Sequence, residues 1–183
     1  MAPFPLCCVA GLASSESVAT LAAATTGLVS GLGLEVLTQE APDFKDANAP
    51  VANLVAEHKK IVKRSSKLAR PLVIAGTVAA GAAAYGNRDK HAAGPLAVAA
   101  AVNGAVIALS LFLIKPLETE IEALPPPTNA SPNKKPDQKQ AAADSKARSL
   151  LQRWAKLHTV RVALSGFAFG STLCGVLLLN KKH

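Results

Sequence analysis

Four apolar stretches, at about 17–37, 69–86, 92–114 and 157–180, are each long enough to cross the hydrocarbon core of a bilayer, roughly 30 Å at ~1.5 Å per residue. Nothing else in the sequence limits the fold as strongly. Inside lipid every backbone donor and acceptor has to be satisfied within the chain, so segments of this length become helices. The expected fold class is therefore all-α: an integral membrane four-helix bundle with four transmembrane helices, forming a single membrane domain over residues 1–183. Half of the residues are hydrophobic while only 4% are aromatic, too few large rings for an ordinary soluble core of this size. Small side chains instead suit helices that approach one another closely.

The segments differ in what they carry. The first holds Thr20, Thr25, Thr26 and Ser30, hydroxyls that call for protein neighbours, and the small-x-x-x-small pair Gly27 and Gly31. The second presents Ala75, Ala79 and Ala83 and is expected to start at Pro71, a residue suited to a first helical turn. Asn103, near the middle of the third, is an amide at a depth where it should face protein. Two roles fit it, a hydrogen bond between helices or the orientation of a bound ligand.

The connections are also distinct. Residues 53–70 read as a basic amphipathic helix, with Lys59, Lys60, Lys63, Arg64, Lys67 and Arg70 set around Leu54, Ile61 and Leu68. Asn87 to His91 form a short polar turn, and residues 115–142, with Pro125, Pro126, Pro127, Pro132 and Pro136, read as a flexible proline-rich loop. Lys and Arg number seven from Lys45 to Arg70 and eight from Lys115 to Lys156, against two in the short turn and two after the last segment. That bias places 38–68 and 115–156 in the cytosol and makes the chain a multi-pass protein, expected in an endomembrane. The net charge of +8 is then matched to lipid headgroups and topology, with no nucleic-acid partner.

The chemistry concentrates at the entry to the last segment. Trp154, His158, Arg161 and Ser165 follow one another at spacings of 4, 3 and 4 residues, which puts them on one helical stripe. Trp and Arg at a helix entry are common interfacial anchors. His158 does not fit that role, and an imidazole beside a fixed guanidinium can remove a proton and hold the oxyanion that results. The four histidines, His58, His91, His158 and His183, lack metal-ligand spacing, so no metal is expected. Walker and dinucleotide-binding fingerprints and nucleophile elbows are missing too, so no flavin, haem or nicotinamide is expected.

Arg153-Trp154-x-x-Leu157-His158-x-x-Arg161, together with Phe112-Leu113-Ile114-Lys115-Pro116-Leu117, resembles a family of small four-helix membrane proteins that includes the fungal anthrone oxygenases. The basic segment before Pro71 and Tyr85 near the end of the second segment agree with it. The chain departs from the family pattern at Leu117-Glu118, at Ile61 and Val62, and in the length of the third connection. The resemblance implies a monooxygenase that converts an anthrone to an anthraquinone in polyketide secondary-metabolite biosynthesis, with molecular oxygen as co-substrate and no cofactor. It casts His158 and Arg161 as catalytic and Trp154 and Asn103 as substrate-binding. The implied partners are a lipophilic aromatic polyketide, membrane lipids and other pathway enzymes. The competing expectation is a non-enzymatic four-helix membrane carrier or scaffold for a biosynthetic pathway, which accounts equally well for the small-residue helices and basic connections.

Overall fold

A computed structural model describes residues 14–40, 49–124 and 138–181, and all its regular structure is helical. In chain order these are α1 (Ser15–Glu35), continued by a π-helical turn at Val36–Glu40; α2 (Val51–Gly86); α3 (Ala93–Leu109), continued by π-helix at Ser110–Ile114; α4 (Lys115–Glu122); and α5 (Gln138–Asn180). Four helical spans, Ser15–Thr38, Lys67–Gly86, Ala93–Glu122 and Ala141–Asn180, are long and apolar enough to cross a membrane.

Three helices run further than the apolar stretches suggest. Pro71 lies inside α2, so the basic amphipathic segment and the second span are one continuous helix. The third span passes through Lys115 and ends at Glu122, because Pro116 sits in the first turn of α4, where its missing N–H is no loss, and Leu117 and Ile121 find a buried face. The last helix begins at Gln138, well before residue 157, since Ala147, Leu150 and Leu151 continue the buried stripe of Trp154 backwards. The expected loop at 115–142 is thus helical at both ends, and its centre, 125–137, lies outside the described residues.

The contacts divide the chain into two compact units. The first takes in the described residues of Met1–Ser30, Pro71–Val106 and Leu164–His183. Its core is built of small side chains in two clusters, Ala19, Ala83 and Ala92 with Leu96, and Ala22, Ala79, Ala80 and Ala99. A Cβ added at Gly76 would lie 3.0 Å from Thr25 Oγ1, and one at Gly27 would lie 2.9 Å from the Phe169 ring, so the glycines set how closely these helices meet. The hydroxyls of Thr25, Thr26 and Thr172 are buried and donate to carbonyls of their own helices, at 2.9 Å to Leu21, 2.6 Å to Ala22 and 2.8 Å to Ala168. A neighbouring helix is not needed to satisfy them. Leu21, Leu28, Ile74, Val78, Phe167 and Leu177 are exposed, as a lipid-facing surface requires.

The second unit comprises Gly31–Arg70 and Ile107–Ala163, and its core uses larger residues: Leu54, Ile61, Ile114, Ile121, Leu151 and Trp154. Leu54, Val55, His58, Ile61 and Val62 face inward from α2, while Lys59, Lys60, Lys63 and Lys67 stay exposed. The amphipathic reading holds for Leu54 and Ile61, but Leu68 is exposed. Polar ties join its parts: Arg64 to Glu35 at 3.2 Å, Lys146 to Glu120 at 3.0 Å, and Arg148 Nη2, which donates to the Ala49 carbonyl at 2.6 Å. At Gly33 an added Cβ would come within 2.7 Å of Val162 Cγ2, so α1 and α5 meet here with no room for a methyl group. Val is stiff at χ1 in a helix and cannot readily turn away.

Gly33→Ala is therefore expected to destabilise the detergent-purified chain by about 1–3 kcal/mol, the usual effect of overpacking. Gly31→Ala, with open space at its Cβ, should instead gain up to about 1 kcal/mol of helix stability. Thermal midpoints of the two variants decide it, and a Gly33→Ala protein as stable as Gly31→Ala contradicts the close approach.

Candidate active site

The stripe on α5 that holds Trp154, His158 and Arg161 is continuous. Ala147, Leu151, Trp154, His158, Ser165, Ala168 and Thr172 are all buried along it, and Arg161 is half-buried at the same register. Spacings of three and four residues keep them on one face. Trp154, His158 and Arg161 belong to the second unit, whereas Ser165 and Asn103 belong to the first. Asn103 is buried as expected, but its Nδ2 has no hydrogen-bond partner among the described residues.

Trp154 is the centre of that cluster. The His158 imidazole lies nearly parallel to the indole, with ring centroids 4.9 Å apart and an interplanar angle of 15°. His58, from α2, meets the same indole edge to face, at 4.7 Å and 84°. The ring that stacks on Trp154 in the structure is therefore an imidazole of the protein. Both His158 nitrogens are buried, with the backbone of Gly33 within electrostatic reach and no well-formed hydrogen bond to the ring. Gly33 allows this because it has no side chain to stand between α1 and α5.

Glu118 closes the cluster from α4. Its carboxylate is buried, with Lys115 Nζ at 4.0 Å, and the Trp154 indole N–H faces it as a donor, though short of ideal alignment. The guanidinium groups of Arg161 and Arg70 lie in the field of the same carboxylate. A half-buried cation thus has a buried anion to balance it, the condition under which such charges persist away from water.

Sequence reasoning overlooked His58, Glu118 and Gly33 as members of the site. A signal existed for each of the first two. His58 falls between Leu54 and Ile61 on the apolar face of α2, and Glu118 falls between Leu117 and Ile121 on that of α4. Among the described residues no three His, Cys, Asp or Glu side chains converge as metal ligands.

The family model described as anthrone oxygenase matches residues 59–171. The chain belongs to the anthrone oxygenase family. The matched span includes Glu118, Trp154, His158 and Arg161 and stops one residue short of His58. No curated protein and no solved structure matches the chain.

His58 lies outside the membrane-spanning segments, and burial, with the Lys59 ammonium beside it, pushes its pKa down to about 4. Above the ordinary imidazole value near 6.5 the ring is neutral in both folded and unfolded chains, and it gives no pH dependence. Between there and about 4 the unfolded chain takes up a proton that the folded one refuses, so acidification lowers stability. The loss from His58 is at most about 1.4 kcal/mol per pH unit. Thermal midpoints of wild type and His58→Gln between pH 7 and 5 should therefore differ in slope, flatter in the variant. Equal slopes contradict the burial of an uncharged His58 ring.

Proposed function

We propose that this chain is an anthrone oxygenase that converts a hydroxyanthrone to the corresponding anthraquinone with molecular oxygen, in the biosynthesis of an aromatic polyketide. The observation that carries the reading is the buried His158 imidazole held flat against Trp154, with Arg161 one turn further along α5, inside the matched family span.

His158 takes a proton from the ring methylene. The negative charge that develops delocalises onto the ring carbonyl oxygen, where the Arg161 guanidinium holds it with paired donors. The electron-rich anthrolate then reduces oxygen by one electron, and combination of the two radicals forms a carbon–oxygen bond. Protonation gives a hydroperoxide. Loss of its remaining C–H proton with cleavage of the O–O bond leaves the second carbonyl and releases water. Anthrone and oxygen thus become quinone and water, with the substrate's own conjugation supplying the electrons and no cofactor needed. Trp154 keeps the imidazole parallel and in register, which preserves the geometry that general-base catalysis requires. The lipophilic ring system reaches the protein from the membrane, and pathway enzymes that make the anthrone are its natural suppliers.

Purified protein in detergent, given a hydroxyanthrone deuterated at the ring methylene, should turn over more slowly than with the protiated substrate. His158→Gln is expected to lower kcat by about 10²–10⁴, the usual worth of a positioned base. Arg161→Lys, which keeps the charge but loses the planar fork, should fall between His158→Gln and wild type. Oxidation by both variants at the wild-type rate would contradict the assignment and favour a carrier or scaffold.

A further inference from the structure

The basic face of α2 is used by neither the core nor the proposed reaction. Lys59, Lys60, Lys63 and Lys67 are all exposed, and at 3.6 residues per turn they fall within an arc of about 100°, separate from the arc of Leu54, His58, Ile61 and Val62. Glu57 is the one acidic residue of α2, and it falls outside the lysine arc. Carboxylates of the same unit are engaged with other cations: Glu35 with Arg64 at 3.2 Å, Glu118 with Lys115 at 4.0 Å and Glu120 with Lys146 at 3.0 Å. Arg70 lies on the lysine arc but shares the field of Glu118. Among the described residues no ion pair or hydrogen bond reaches the four lysine side chains.

The helix itself sets the height of these charges. α2 passes Pro71 without a break and enters the apolar span at Lys67, so at ~1.5 Å per residue Lys63 stands about 6 Å before the span and Lys59 about 12 Å before it. The headgroup layer of a leaflet extends roughly 5–7 Å beyond the hydrocarbon. With Lys67–Gly86 across a bilayer, Lys63 and Lys67 reach the depth of the lipid phosphates. Lys59 and Lys60 then lie just outside that layer, within a Debye length of about 8–10 Å.

We propose that the lysine stripe of α2 is a binding site for the headgroups of anionic phospholipids. None of the four lysines takes part in the proposed oxidation, so the inference stands independently of it. Ammonium groups are point charges without a fixed fork, and the stripe therefore reads the charge of a headgroup rather than its shape. Each lysine near an anionic surface is worth roughly a fivefold gain in affinity. An acidic protein surface would meet the same charges, but it would have to displace lipid phosphates that already stand at the depth of Lys63 and Lys67. That favours the lipid.

The full chain, purified in detergent, should be equilibrated with mixed micelles holding equal amounts of phosphatidylserine and phosphatidylcholine with the same acyl chains. The lipid retained after washing is then counted by mass spectrometry. At about 0.1 M salt wild type is expected to enrich phosphatidylserine at least about fivefold, and at about 1 M salt, where the screening length is about 3 Å, the enrichment should vanish. Lys63→Gln with Lys67→Gln should lower the enrichment at least about fivefold, whereas Lys63→Arg with Lys67→Arg, which keeps the charges, should retain it and guards against loss of fold. Arg88→Gln with Lys90→Gln removes the same number of charges beyond the far end of α2, where Asp89 already lies 4.0 Å from Arg88, and should leave the enrichment within about twofold. Inorganic phosphate at constant ionic strength should not displace the lipid, and displacement would make a free anion the occupant in place of a headgroup. Equal retention of the two lipids by wild type overturns the proposal and leaves the stripe to an acidic protein surface. An equal loss in the α2 and Arg88/Lys90 variants overturns it as well, because net charge alone then sets the preference.

Discussion

The constraint on which the rest depends is that one helix carries ionisable side chains along a stripe that is otherwise closed to water. On α5 the same three-and-four spacing brings Ala147, Leu151, Trp154 and His158 inward in the second unit, and Ser165, Ala168 and Thr172 inward in the first. The period is constant while the chemistry changes. Thr172 is satisfied by its own helix, as Thr25 and Thr26 are on α1, which is the inexpensive solution for a hydroxyl away from water. An imidazole and a guanidinium have no such local solution. They need other elements: in the second unit the Gly33 backbone lies within electrostatic reach of the His158 ring, and Glu118 lies within that of Arg161.

Assembling those partners explains features of the second unit that packing alone does not. Gly33 brings backbone to the His158 ring because a methyl group there would collide with Val162. α4 extends past Pro116 far enough to bring Glu118 to Trp154 and into the field of Arg161. The indole touches two imidazoles and faces a carboxylate, so its orientation is fixed by contacts on several sides. In the proposed reaction, a base held this firmly would lose little freedom on going to the transition state, an advantage that is entropic as well as electrostatic.

Much of this was legible in the sequence. The four apolar stretches gave the helical class, and the spacing of Trp154, His158, Arg161 and Ser165 gave their common face. The ends of the helices were less legible, because Lys115-Pro116 and the polar run before Leu150 look like breaks unless the apolar period is followed through them. Glu118 was hidden for that reason, in a stretch that composition assigns to a loop. His58 was masked by the lysines that flank it, though its position on the apolar face of α2 was readable. The contact of Trp154 with two imidazoles was not readable at all, since the pairing of helices depends on packing that no single segment encodes. Asn103 was correctly expected to be buried, yet burial alone could not say which residues it would join.

The most direct test of the account is oxygen-dependent conversion of a simple hydroxyanthrone by washed membranes that contain this chain, against membranes that contain its His158→Ala variant as the background for spontaneous air oxidation. The account expects conversion well above that background, undiminished by a metal chelator. Equal rates in the two preparations would contradict it and leave the chain as a carrier or scaffold.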